Sequence, residues 1–139
     1  MQYITTIKFN QKYQTYPLKQ QSKELRDNTQ TLLATIIEAI KNKKGENIIA
    51  LDLNNIDEAV AKYFVVCDAQ THIQTAAIVR SIVDDVLEGV QEKPYHIEES
   101  NVWSIIDYAD IVVHVFKTEE RKFYDLEGAW MDASRKEYA

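Results

Sequence analysis

Trp103-Ser104-Ile105-Ile106-Asp107-Tyr108-Ala109-Asp110-Ile111-Val112-Val113-His114-Val115-Phe116 is the stretch that decides the fold. Val102 to Asp107 and Ile111 to Phe116 are runs of strand length, rich in β-branched and aromatic residues. Only Tyr108, Ala109 and Asp110 separate them, so the two are expected to pair as a hairpin. Ile111 to Phe116 is the most apolar run of the chain, the pattern of a strand covered on both faces.

Outward from this hairpin, Ile48 to Leu53 and Tyr63 to Cys67 read as two further buried strands, and Pro94 to Ile97 as a short one. Helical spacing relates Leu32, Leu33, Ile36, Ile37 and Ile40, with Lys41, Lys43 and Lys44 at the end and Gly45 offering a left-handed stop. A longer helix carries Val79, Ile82, Val83, Val86, Leu87 and Val90, with Thr71 as its N-cap. After the hairpin, Thr118 is expected to cap a short helix with Glu119 and Glu120 in its first turn. Helix-favouring residues continue to Glu127, Gly128 breaks the pattern, and Trp130 follows as an aromatic anchor. The order predicts an α/β protein with a mixed five-stranded sheet flanked by helices.

At 139 residues, the chain has room for one domain with a real core. The net charge of −6 is uneven: Lys8, Lys12, Lys19, Lys23 and Arg26 outnumber Glu24 and Asp27 at the start. Residues 1–28 therefore read as a basic, partly flexible extension, in which Tyr3 to Phe9 could pair as an edge strand, and 29–139 as an acidic domain. Such a body suits a basic partner protein better than naked nucleic acid. Cys67 is the only cysteine, which excludes an intrachain disulfide and a cysteine-rich metal cage. No apolar segment is long enough to span a membrane, and no Arg-rich, acid-poor leader is present, so a cytoplasmic location is expected.

Catalysis finds little support. Three scattered glycines, Gly45, Gly89 and Gly128, cannot crowd backbone amides around a phosphate, and His72, His96 and His114 have no metal-ligand spacing. His114 sits between valines and reads as a core histidine with one hydrogen-bond partner. The rival reading is enzymatic: Asp52, Asp68 and Asp107 end three strands and could converge on a divalent metal, as a metal-dependent nucleotidyltransferase would require. Against it, the residue two beyond Asp52 is Asn54, a poorer ligand, and strand-end aspartates commonly bind loop amides. Phe123, Leu126 and Trp130 read as core; Trp103 and Tyr108, at strand ends, suit either core or a protein-binding surface.

The hairpin, with Arg121-Lys122-Phe123-Tyr124-Asp125-Leu126-Glu127 and Trp130 after it, resembles the signature of the iojap-like ribosomal silencing factors. The resemblance is ungapped there and extends from about residue 29 to residue 133, taking in Leu51-Asp52-Leu53, Tyr63 to Cys67 and Thr71 to Ile78. Ala69, Glu98 and Ala109 stand where such proteins often carry glycine. The resemblance implies a nucleotidyltransferase-like fold without catalytic residues, and no metal or cofactor. It implies binding to the large ribosomal subunit through the ribosomal protein numbered fourteen (uL14), blocking small-subunit joining when nutrients are short. Trp103 and Tyr108 would be contact residues, with Asp107 and Asp110 shaping the turn and offering charge to a basic partner. Arg121, Tyr124, Glu127 and Trp130 match the helical signature, as contacts or as an internal ion pair and cap. A homodimer in the free state and a peripheral contact of residues 1–28 with ribosomal RNA are compatible with it.

Overall fold

The computed structural model describes residues 18–139, with side chains from residue 28 onward. The candidate strand Tyr3 to Phe9 lies outside the described residues. In chain order the elements are α1 (Leu18–Asn42), β1 (Glu46–Asp52), β2 (Tyr63–Ala69), α2 (His72–Val90), β3 (His96–Glu98), β4 (Trp103–Asp107), β5 (Ile111–Lys117), α3 (Thr118–Tyr124), α4 (Leu126–Ala129) and β6 (Ser134–Tyr138). The sheet runs β3-β4-β5-β2-β1-β6, with β2 and β5 parallel at its centre and every other neighbour antiparallel.

Strand alternation builds two cores. One face of the sheet sets Val65, Cys67, Val113 and Val115 beneath Ile36 and Ile40 of α1 and Ile78, Ile82 and Val86 of α2. The opposite face presents Leu51, Phe64, Val66, Val112 and Phe116 to α4 and the loop between β1 and β2. The two central strands are thus apolar on both sides, as the hairpin's composition requires. Thr71 caps α2 as expected, accepting the Gln74 amide hydrogen at 3.2 Å.

Four local expectations are corrected. The sheet has six strands rather than five, because Ser134–Tyr138 adds an edge beside β1. That strand is polar and mostly exposed, so it carries no apolar alternation to read; Tyr138 anchors it against the first core. At the end of α1 the left-handed residue is Lys44, not Gly45, whose missing Cβ instead makes room for Ile40, which would lie 2.4 Å away. Thr118 does not cap α3; its hydroxyl donates to Asp68 at 2.9 Å. The final helix breaks at Asp125, which takes a left-handed φ of 45° and accepts the Gly128 amide hydrogen at 3.3 Å.

Ala109 occupies the hairpin turn at φ 70°, a conformation that crowds a Cβ, whereas Ala69 and Glu98 do not adopt positive φ. Asp107 holds the turn by accepting the Ala109 amide hydrogen at 2.8 Å. Ala109→Gly should therefore stabilise the chain by roughly 1 kcal/mol, relief of the left-handed strain outweighing the added freedom of the unfolded chain. Urea unfolding measures it; a lower midpoint in the glycine variant would contradict the strain.

Candidate functional site

The turn that closes the hairpin is fixed by buried groups. Asp107 is fully enclosed, and one carboxylate oxygen has no hydrogen-bond partner among the described residues. Burial, only partly offset by the Ala109 amide and by His96 across the β3 pairing, raises its pKa above the ordinary carboxylate range. Tyr108 is 3% exposed and packs into the core under α1 and α2, its hydroxyl likewise without a partner among the described residues. Asp110 stays partly accessible; its carboxylate accepts from Thr29 at 3.3 Å and lies 3.9 Å from the Lys62 ammonium.

Trp103 belongs to the opposite face. Alternation along β4 separates it from Tyr108, and the turn does not bend the chain enough to unite them. Its indole stacks on Phe116, directly across the β4–β5 ladder, with centroids 4.8 Å apart and planes 22° from parallel. Tyr124 lies 5.0 Å away on α3, and Phe123 meets Tyr124 edge-on at 5.2 Å. Phe123 is 81% exposed and Tyr124 46%, so this tier continues from the core into solvent. Phe123 is expected in the core from its sequence but lies outside it, because a seven-residue helix on a sheet buries only one side and Phe123 is on the other. Val102, Glu119 and Glu120 complete a shallow concavity around it.

Behind the tier stands His114, fully buried, with Phe64 edge-on at 4.7 Å. Its Nδ1 accepts the Trp103 indole N–H at 3.1 Å, so the ring's own proton sits on Nε2, which has no partner among the described residues. Burial pushes its pKa down from 6.5 to about 3. Below pH 6.5 the unfolded chain takes up a proton that the native ring refuses, so stability is intact above 6.5 and drains away as pH falls toward 3. The slope is about 1.4 kcal/mol per pH unit, and the wild type should lose stability faster than His114→Phe between pH 6 and 4. Parallel stability curves for the two would show that the histidine titrates normally.

Arg121 anchors α3. It is 8% exposed and its guanidinium meets Asp68 at 3.0 Å and Glu127 at 3.2 Å, while also donating to the Asn47 carbonyl. Asn47 reaches that position through a bulge in β1 at φ 51°, and its side chain donates to Asp68 as well. Trp130 packs edge-on against Phe64 at 5.5 Å. An open cleft of about 920 Å³ borders this network and interleaves basic side chains, Lys41, Lys122 and Arg135 among them, with acidic ones such as Glu46, Asp125 and Glu137, so neither sign dominates its lining.

The carboxylates do not assemble a metal centre. β1 and β2 run antiparallel, so Asp52 lies opposite Tyr63 at one rim of the sheet and Asp68 opposite Glu46 at the other. Asp107 shares the Asp52 rim but is enclosed, and Asp52 is bonded to Asn54 at 2.7 Å. Among the described residues no group of three or more His, Cys, Asp or Glu is placed to hold a metal ion. None of their helices is long and apolar enough to cross a membrane.

A family model described as "Ribosomal silencing factor during starvation" matches residues 26–139. Among curated relatives, the ribosomal silencing factor RsfS of Bacillus subtilis is 38% identical over 107 residues, covering 76% of this chain and 90% of its own length. The maize chloroplast protein Iojap is 27% identical over 73 residues, 52% of this chain and 32% of that protein. A crystal structure from Chromobacterium violaceum superposes with a TM-score of 0.67 at 29% identity, covering 73% of this chain and 84% of the other. One from Bacillus halodurans gives 0.65 at 31% identity, covering 73% and 94%.

Proposed function

The chain belongs to the ribosomal silencing factor family, whose members are not enzymes, and on that premise we propose that it binds the large ribosomal subunit through uL14 and sterically blocks small-subunit joining. The observation that supports this most is the solvent-facing tier of Trp103, Tyr124 and Phe123 beside Glu119 and Glu120. Aromatic rings bury much area for few frozen torsions, and adjacent carboxylates match a basic ribosomal protein. In this reading Trp103 and Asp110 reach the partner, while Asp107 and Tyr108 shape the turn from within. Arg121, Glu127 and Trp130 hold the helices that carry Tyr124. The basic residues 1–28, of which those from Leu18 on belong to α1, touch ribosomal RNA at the periphery in this reading, and 29–139 carry the silencing domain. The mixed sheet with helices on both faces suits a nucleotidyltransferase-like fold that has no metal-binding carboxylates among its described residues.

Purified chain is expected to sediment with isolated large subunits and not with small ones, and to lower the yield of joined ribosomes as it is added. Unchanged joining at a concentration that saturates the large subunit would overturn the steric mechanism. Sedimentation with small subunits alone would overturn the partner.

A further inference from the structure

A polar ring enclosed in an apolar layer, with one nitrogen unsatisfied, costs free energy and calls for a compensating role. His114 is such a ring: it is fully buried on β5, its Nε2 has no partner among the described residues, and its polar bond is to the Trp103 indole. Stacking on Phe116 and contact with Tyr124 restrict the plane of that indole but do not distinguish its two faces. Turning the side chain by a half rotation about its second torsion keeps a ring on the stack and carries Nε1–H to the far side. The 3.1 Å bond to Nδ1 admits only one of the two orientations.

We infer that His114 is a positioning residue for ribosome docking: its Nδ1 selects the orientation in which the Trp103 indole meets the partner. The inference rests on the reading of Trp103 as a docking residue given above, and it adds a residue that never touches the partner. A side chain already held in its bound orientation loses less freedom on binding, and affinity rises accordingly. The β4–β5 register makes the pairing possible, because Trp103 lies opposite Phe116 and His114 is its diagonal neighbour on the same face.

Two substitutions separate orientation from packing. His114→Phe keeps an aromatic ring, larger than imidazole, but removes the acceptor. His114→Asn places a carbonyl oxygen near the position of Nδ1 but leaves a cavity, so packing disfavours both variants and the acceptor is present only in Asn. The chain has two tryptophans, so the free protein shows two indole N–H resonances, and Trp103→Phe assigns the relevant one. In wild type and His114→Asn the Trp103 indole proton should exchange slowly with water; in His114→Phe it should exchange faster. Affinity for purified large subunits should follow the same order, with Asn at wild-type affinity and Phe weaker by about twofold, the loss of one of two equal orientations, up to roughly tenfold where the side chain's remaining freedom is released as well. Wild-type affinity in a folded His114→Phe, or weaker binding by Asn than by Phe with both folded, overturns the inference and leaves the ribosomal reading standing. If the asparagine variant does not fold, the phenylalanine variant alone decides through its exchange rate and affinity. A wild-type chain that fails to bind large subunits removes the ribosomal reading itself, and this inference with it.

Discussion

Arg121→Ala is expected to lower folding stability by about 3–5 kcal/mol, because it strands a buried carboxylate. Asp68 is 1% exposed and accepts from Arg121, Thr118 and Asn47 together, so removing the guanidinium deletes its only cationic partner among the described residues while keeping it out of water. Glu127 would retain only a distant contact with Arg135 at 4.0 Å, and the Asn47 carbonyl would lose its donor. Because α3 and α4 are short, they are seated on the sheet by this network together with Trp130, Leu126 and Tyr124. For a chain of this size such a loss corresponds to a melting point lower by on the order of 10–15 °C. The double variant Arg121→Leu with Asp68→Asn should recover much of the deficit, since a neutral amide can still bond Thr118 and no charge is left unpaired. A single variant that melts within a degree or two of wild type would show that Asp68 is solvated once the arginine is gone.

Much of this architecture was legible because the central strands have no polar face. Ile111–Lys117 and Tyr63–Ala69 must be covered on both sides, which dictates flanking helices and places both strands centrally. Ser134–Tyr138 was illegible for the opposite reason: an edge strand held by backbone pairing to β1 needs no apolar alternation, and Ser-Arg-Lys-Glu-Tyr gives none. At the site, the resemblance groups Trp103 and Tyr108 as contacts, whereas five residues along an alternating chain change face and the two rings fall in different cores. The pairing of Trp103 with His114 could be reached only through the hairpin register, which a three-residue turn sets once its conformation is known. The left-handed turn at Ala109 is signalled by the glycine that similar proteins often carry there and not by alanine itself, a poor residue for it. Arg121 could not be assigned between contact and ion pair from the sequence, because its partners Asp68 and Asn47 lie 53 and 74 residues away.

Trp103→Ala and Tyr108→Ala should fail in different ways, because the two rings lie in different cores. Trp103 borders the exposed tier, and truncating an interfacial aromatic hot spot typically costs about 2 kcal/mol or more, some thirtyfold in affinity. The variant should also melt lower, having lost its stack on Phe116, yet below its own melting point it should bind large subunits weakly and no longer block joining. Tyr108 is enclosed beneath α1 and α2, where loss of a large ring costs about 3–5 kcal/mol through the cavity it leaves. Its folded fraction should bind within about threefold of wild type, a difference below 1 kcal/mol. Tyr108→Phe separates ring from hydroxyl: the phenolic oxygen is buried without a partner among the described residues, and burial raises its pKa. Deleting that oxygen should leave stability unchanged or raise it by about 1 kcal/mol, since an unpaired buried hydroxyl is desolvated for no return. Melting curves and subunit affinities on the same three proteins decide the matter. Wild-type affinity in Trp103→Ala, or a thirtyfold loss in folded Tyr108→Phe, would move the docking surface to the other side of the sheet.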